Sequence, residues 1–279
     1  LKRAVSALRD GLEATCLEAV FLESYPNYVG NYMHNLVPGI EPVMFEGDLR
    51  QGSGSELDSR GKSPPKFAAA HSSAALAVNC FAPFKIRIDD LRLLGHGGFN
   101  GIDFEHQCPI WPESQQLTPP NLDAMAMDER GVVAIESKCT EFLQPKKAKF
   151  APRYEGVVED LLDRPWLETY KALKNQPALF HNLDAAQLVK HCLGLRKTFP
   201  DQDISLVYVF WEPENAIDLD IFNSHRSEII KFTEMVAGSE INFAAFSYPE
   251  LWIEWTGKEA PQWLLEHVEA LGSRYSVNV

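Results

Sequence analysis

No apolar run in the chain approaches the ~20 residues that a helix needs to cross a bilayer, so no helical membrane span is expected. No C-x-x-C pair occurs either. The five cysteines, Cys16, Cys80, Cys108, Cys139 and Cys192, are odd in number and scattered, which argues against structural zinc or a disulfide framework and for a reducing cytoplasm. There is no internal repeat and no low-complexity tract, which sets aside solenoids and arrays. The glycine-rich stretch from Gly47 to Asp58 lacks the Gly-Lys-Ser/Thr of a phosphate-binding loop. Positive charge is scarce: 26 Lys and Arg stand against 39 Asp and Glu, a net charge of −13. That balance disfavours a general nucleic-acid coat protein, which needs broad positive potential. It leaves room for an enzyme that holds a nucleic-acid backbone in a small basic channel.

With 45% hydrophobic and 23% charged residues, the 279-residue chain has the composition of a folded globular protein. The length suits one large domain, or one with an N-terminal extension. Candidate chemistry concentrates in Asn121-Leu-Asp-Ala-Met-Ala-Met-Asp-Glu-Arg-Gly-Val-Val-Ala-Ile-Glu-Ser-Lys138. Two apolar runs, 122–127 and 132–137, flank Asp128-Glu-Arg-Gly131, which predicts a hairpin turn with Gly131 at positive φ. Strand alternation places Val132, Ala134, Glu136 and Lys138 on one face and Val133, Ile135 and Ser137 on the other. A carboxylate and an ammonium thus emerge together at the end of a buried strand, and the hairpin brings Asp123 beside Glu136. Paired carboxylates suit a hard divalent cation. The lysine can orient a water or balance charge developing on a phosphate.

Along the rest of the chain, residues 1–20 carry apolar positions at helical spacing (Val5, Leu8, Leu12, Cys16) and read as an amphipathic helix rather than a targeting peptide. Tyr25 to Pro42 reads as irregular, Gly47–Asp58 as a glycine-rich loop whose glycines are followed directly by Glu56, and 59–66 as a basic linker. Ser72 is a cap candidate for a buried Ala/Leu-rich helix that stops near Pro83. Residues 100–108 alternate as a strand, on which Glu105 shares a face with Asp103 and Gln107. Lys146, Lys147, Lys149 and Arg153 form the basic cluster nearest the hairpin. Further helices are expected over 157–175 (broken at Pro165), 181–199, 224–236 and 262–271. On the second of these, Gln187 and His191 fall at i and i+4, with Lys190 nearby. Ile204–Trp211 is a β-branched and aromatic run typical of a strand buried on both faces, and 241–247 adds another strand. The fold class is α/β, a mixed sheet flanked by helices, with residues 1–66 as a helical and irregular extension packed on a core of 67–279.

Pro120-Asn-Leu-Asp123, twelve residues, then Glu136-Ser-Lys138 resembles the motif of the PD-(D/E)XK nuclease superfamily. The segments 47–57, 71–79, 104–109, 136–141, 185–191 and Trp211-Glu-Pro213 together resemble a mostly bacterial family of restriction-endonuclease-like proteins over roughly residues 45–255. The resemblance implies a restriction-endonuclease-like fold and a Mg²⁺-dependent DNA endonuclease in which Mn²⁺ substitutes. Asp123 and Glu136 would bind metal, with the Ser137 carbonyl as a third oxygen, and Lys138 would serve the attacking water. It also nominates Glu56, Glu105 and Gln187 as supporting residues. Two departures stand out: Asn121 and Leu122 separate Pro120 from Asp123, and the 72–81 helix carries no Glu, so Glu56 must fill that upstream role. RNA as substrate, a homodimeric assembly, and a non-catalytic nucleic-acid- or protein-binding module on the same fold stay open on sequence grounds.

Overall fold

The computed structural model describes residues 1–52, 55–59, 61–112 and 118–279. Ser53 and Gly54 of the glycine-rich stretch, and Arg60 of the basic linker, lie outside the described residues. The N-terminal helix α1 (Lys2–Thr15) turns Ala4, Val5, Leu8 and Leu12 inward, as their spacing requires. A two-stranded hairpin follows, β1 (Phe21–Leu22) with β2 (Tyr25–Val29), so the start of the stretch read as irregular is paired backbone. Helix α2 (Glu46–Gln51) occupies the first half of the expected glycine-rich loop. Helix α3 (Ser73–Phe81) begins at Ser72, whose hydroxyl accepts from the Ala75 amide as the cap reading requires. Ala74, Ala75 and Ala77 of this helix are buried, and their small size permits close packing.

The core sheet has five strands in the order β3 (Gly101–Gln107), β4 (Asn121–Met127), β5 (Gly131–Lys138), β6 (Asp203–Phe210), β7 (Ile241–Ser247). The first three pair antiparallel and the last three parallel. Between β5 and β6 run α4 (Val158–Leu161), α5 (Arg164–Asn175) and α6 (Ala185–Thr198), and Pro165 separates α4 from α5 by starting the second. Asp184 caps α6 through the Gln187 amide, so this helix starts four residues later than its periodicity suggested. Helix α7 (Asp220–Met235) joins β6 to β7, and α8 (Tyr248–Trp255) and α9 (Gln262–Tyr275) complete the chain. Helix α8, unread in the sequence, starts from a reciprocal capping box of Ser247 and Glu250.

Alternation along β5 sends its two faces to different helices. Ser137 Oγ reaches Ser73 O on α3 and the Tyr248 hydroxyl on α8, whereas Glu136 reaches His191 on α6. All eight residues of β5 are buried. The sheet is therefore the middle layer of a helix-covered α/β domain. The extension is tied in by buried Arg274 of α9, which donates to Leu8 O, Asn35 Oδ1 and Ala70 O and so satisfies carbonyls from three separate segments.

Two local expectations are corrected. Gly131 does not have positive φ. Glycine is required because β6 passes so close that any Cβ at 131 would collide with the Asp203 carbonyl. The strand read over 100–108 is not regular at Glu105, although Asp103 (through Lys85), Glu105 and Gln107 all meet the segment 48–52. The β3–β4 register runs from Phe104 opposite Ala124 to His106 opposite Leu122 and skips Glu105, whose φ is +52°. The pairing stays in step on both sides, so no residue is inserted; the positive φ reorients the chain locally at Glu105, which is buried beside Phe104.

Candidate active site

Strand β3 at Glu105 and the β4–β5 hairpin meet at an acidic cavity of about 390 Å³. Glu56, Glu105 and Asp123 line it, together with Lys66, His71, Ser72, Ser73, Thr140, Glu141 and Gln144. Glu105 reaches it because the chain is held in an unusual path on both sides. Asp48 of α2 accepts from the Phe104 amide at 2.9 Å, and Lys85 bridges Asp48 and Asp103. Gly52 lies over the Glu105 side chain, where a Cβ would come within 2.5 Å of the Glu105 Cβ. Glu56 arrives from the following turn and pairs with Lys66 at 2.7 Å. Asp123 is anchored by the Ser137 amide, which donates to its Oδ2 at 2.7 Å across the β4–β5 hairpin.

Behind the cavity wall lie the two remaining motif residues. Glu136 is 1% exposed and Lys138 9%, and the Lys138 ammonium donates to Glu136 Oε1. The strand phase that puts Glu136 and Lys138 on one face is thus the observed one. His191, 2% exposed, places Nε2 at 2.8 Å from the other Glu136 oxygen, in ion-pair range but outside hydrogen-bond geometry. Gln187 sits half-buried one turn earlier on α6. Its amide bonds to Asp184, and its side chain neither lines the cavity nor bonds to any of the acids.

The electrostatics follow from this crowding. Burial and the neighbouring Glu56 push the Glu105 carboxyl up to about 7, against a hydrogen bond from Asn121 that stabilises its charge. Asp123 is raised well above the usual carboxylate range by burial and by Glu136, while Lys138 and the Ser137 amide pull the other way. Burial alone would raise Glu136, but Lys138 and His191 outweigh it and hold the carboxyl down at about 2. Lys138 resists the downward pull of burial because Glu136 and Asp123 stabilise its charge, so its affinity for the proton rises.

Four carboxylates therefore share one neighbourhood, and among the described residues two ammonium groups, Lys66 and Lys138, pair with them, with the His191 imidazole beside Glu136. Two oxygens there, Glu136 Oε2 and Asn121 Oδ1, are buried without a hydrogen-bond partner among the described residues. Mutually repelling carboxylates and unsatisfied hard oxygen donors fit Mg²⁺ or Mn²⁺. Among the described residues, no three Asp, Glu, His or Cys side chains already enclose a common metal position. Sequence reasoning underrated His191 and Lys66. The i, i+4 spacing from Gln187 was the available signal for the first, while Lys66 looked like part of a solvated linker.

No curated protein and no solved structure matches the chain. The model of a family described as "Restriction Endonuclease associating with ARP" matches residues 21–276, a span that includes every strand and helix of the core and every acid of the cavity. The protein belongs to that restriction-endonuclease-like family.

Proposed function

We propose that the protein is a Mg²⁺-dependent phosphodiester hydrolase of PD-(D/E)XK type that cuts DNA in restriction or defence. The observation that carries this reading is the set Asp123, Glu136 and Lys138 at the end of one hairpin, joined by Glu105 and Glu56 around a single cavity. Asp123 and Glu136, with the Ser137 carbonyl, would hold the ion. When bound, it would stabilise charge on the phosphoryl oxygens and make a bound water more acidic. Lys138 keeps its proton, so it orients the attacking water and balances charge on the phosphate instead of acting as the base. Glu105, titrating at about 7 and lining the cavity, is the group suited to receive the proton that the water loses. Outside the cavity, the segment 146–153 carries Lys146, Lys147, Lys149 and Arg153 with no acidic residue, a local exception in a chain of net charge −13. It begins two residues after the cavity-lining Gln144, which suits it to hold the DNA backbone.

The deciding experiment is plasmid cleavage with Mg²⁺ or Mn²⁺, comparing wild type with Lys138→Ala. Metal-dependent nicking or linearisation by wild type, reduced at least about 100-fold in the variant, supports the assignment. Equal rates sink the role of Lys138. If neither protein cuts DNA or RNA, the non-catalytic binding module takes its place.

A further inference from the structure

Helix α6 faces the sheet with Leu188, Val189, Cys192 and Leu195, all buried and apolar, yet His191 stands among them. A core position of this kind ordinarily takes an apolar residue, since an imidazole withdrawn from water without hydrogen bonds costs a few kcal/mol. Among the described residues neither ring nitrogen of His191 has a hydrogen-bond partner, and Nε2 lies within 2.8 Å of Glu136 Oε2. The opposite oxygen of the same carboxylate is taken by Lys138. Glu136 is thus gripped on both oxygens, from its own strand and from a helix 55 positions further along the chain.

We propose that His191 is a positioning residue for Glu136: contributed by α6, it fixes the rotamer of the carboxylate so that one face stays available to a divalent cation. This rests on the nuclease reading above and extends it to a residue outside the Asp, Glu and Lys motif. A carboxylate held by one lysine alone can rotate about its last two side-chain torsions. A second contact from an independent element removes that freedom, and groups that orient a metal ligand in this way typically change metal affinity or activity by about 10–100-fold when lost. Geometry selects Nε2 as the working atom. Glutamine carries an amide nitrogen at a comparable reach and can replace the contact, whereas leucine fills the same space without it.

The test uses the full-length protein and Mn²⁺ alone as the probe. Mn²⁺ affinity is measured by electron paramagnetic resonance for wild type, His191→Leu and His191→Gln, alongside kcat and KM for plasmid cleavage and the thermal midpoint in EDTA. The expected result is a loss of Mn²⁺ affinity of about 10-fold or more in His191→Leu. KM for DNA should be unchanged, kcat should fall, and the midpoint should be equal or higher because an apolar side chain suits the site. His191→Gln should recover most of the affinity. Wild-type affinity in His191→Leu overturns the inference while leaving the nuclease reading intact. It is also overturned if both variants lose affinity only in step with a lowered thermal midpoint. A wild-type protein that binds no Mn²⁺ removes the metal site and this inference with it.

Discussion

Two buried carboxylates end neighbouring strands of this sheet, and they differ in how completely the protein satisfies their oxygens. Glu212, just past β6, is gripped by Arg226, whose guanidinium donates to both of its oxygens and also reaches Glu250 at 3.1 Å. Glu250 in turn closes the capping box of α8, accepting from the amide and hydroxyl of Ser247. Each carboxylate of that cluster has hydrogen-bond donors, and the contacts hold α7 and α8 to the strand ends. Glu136, at the end of β5, belongs instead to a group of four acids facing two ammonium ions, with buried oxygens left unbonded. Both clusters carry two carboxylates per cation; what separates them is that both Glu212 oxygens are hydrogen-bonded, whereas Glu136 Oε2 and Asn121 Oδ1 have no hydrogen-bond partner among the described residues. Buried oxygens left open beside repelling carboxylates suit a ligand that brings a cation.

Exchanging the two sites' fates by mutation tests this contrast most strongly. Lys138→Ala should remove cleavage, by at least about 100-fold, at a permissive temperature where the variant stays folded. Lys138→Arg should restore little, because a planar fork replaces a compact point charge. Arg226→Ala should do the reverse: it strands a buried Glu212 and lowers stability by about 1–3 kcal/mol, while cleavage at a permissive temperature stays within twofold of wild type. Denaturant unfolding and plasmid cleavage on the same preparations separate the two effects. A cleavage loss in Arg226→Ala matching that of Lys138→Ala would dissolve the distinction.

The acid cluster should also register in stability. The Glu105 carboxyl holds its proton more tightly in the folded state than in the unfolded chain, where it titrates near 4.5, because burial and Glu56 oppose its charge. Folding therefore takes up a proton between about 4.5 and about 7. Stability should fall as pH rises through that window, with the penalty absent below it and complete above it. The raised Asp123 carboxyl acts in the same direction, while the depressed Glu136 loses its contribution only at far lower pH. In EDTA, the thermal midpoint should drop from pH 5.5 to 8, and Mn²⁺ should flatten that slope. Glu105→Gln should raise the midpoint at pH 8 by about 2–4 °C for each kcal/mol of repulsion relieved, yet reduce cleavage. A lowered midpoint in Glu105→Gln at pH 8 would contradict the idea of carboxylates in mutual repulsion.

The smallest effect is expected outside the cavity. Lys147 and Lys149 are exposed on an extended segment that the Lys146 and Ala148 amides fasten to His181 O and Pro177 O. Substituting both by Gln should weaken DNA binding without altering Mn²⁺ affinity and should reduce the salt dependence by about one unit of slope per lysine. Fluorescence anisotropy with a labelled duplex in Ca²⁺, across a salt series, reads this directly. An unchanged slope would place the DNA path elsewhere.

Much of this arrangement was legible in the sequence where the signal is local. The β4–β5 hairpin, the doubly buried Ile204–Trp211 run, the Ser72 cap and the shared face of Glu136 and Lys138 all follow from period-two alternation or from a single capping side chain. What escaped depends on partners far along the chain. Alternation cannot announce the positive φ at Glu105, where Asp48, Lys85 and Gly52 pack against β3 from outside the strand. Gly131 looked like a turn glycine, whereas β6, more than 70 residues later, imposes its lack of a side chain. His191 looked like one polar residue on a helix until α6 docked over Glu136. Gln187, which the resemblance nominated, makes no side-chain bond to the cluster among the described residues.

The central claim is that the acidic cavity is a divalent-cation site, and a crystal soaked in Mn²⁺ tests it most directly through anomalous scattering. A peak between the Asp123 and Glu136 carboxylates, lost in crystals of Asp123→Asn, is the predicted result. Carboxylates that remain apart with no anomalous peak at the cavity, in a soak that occupies other sites on the protein, would contradict it.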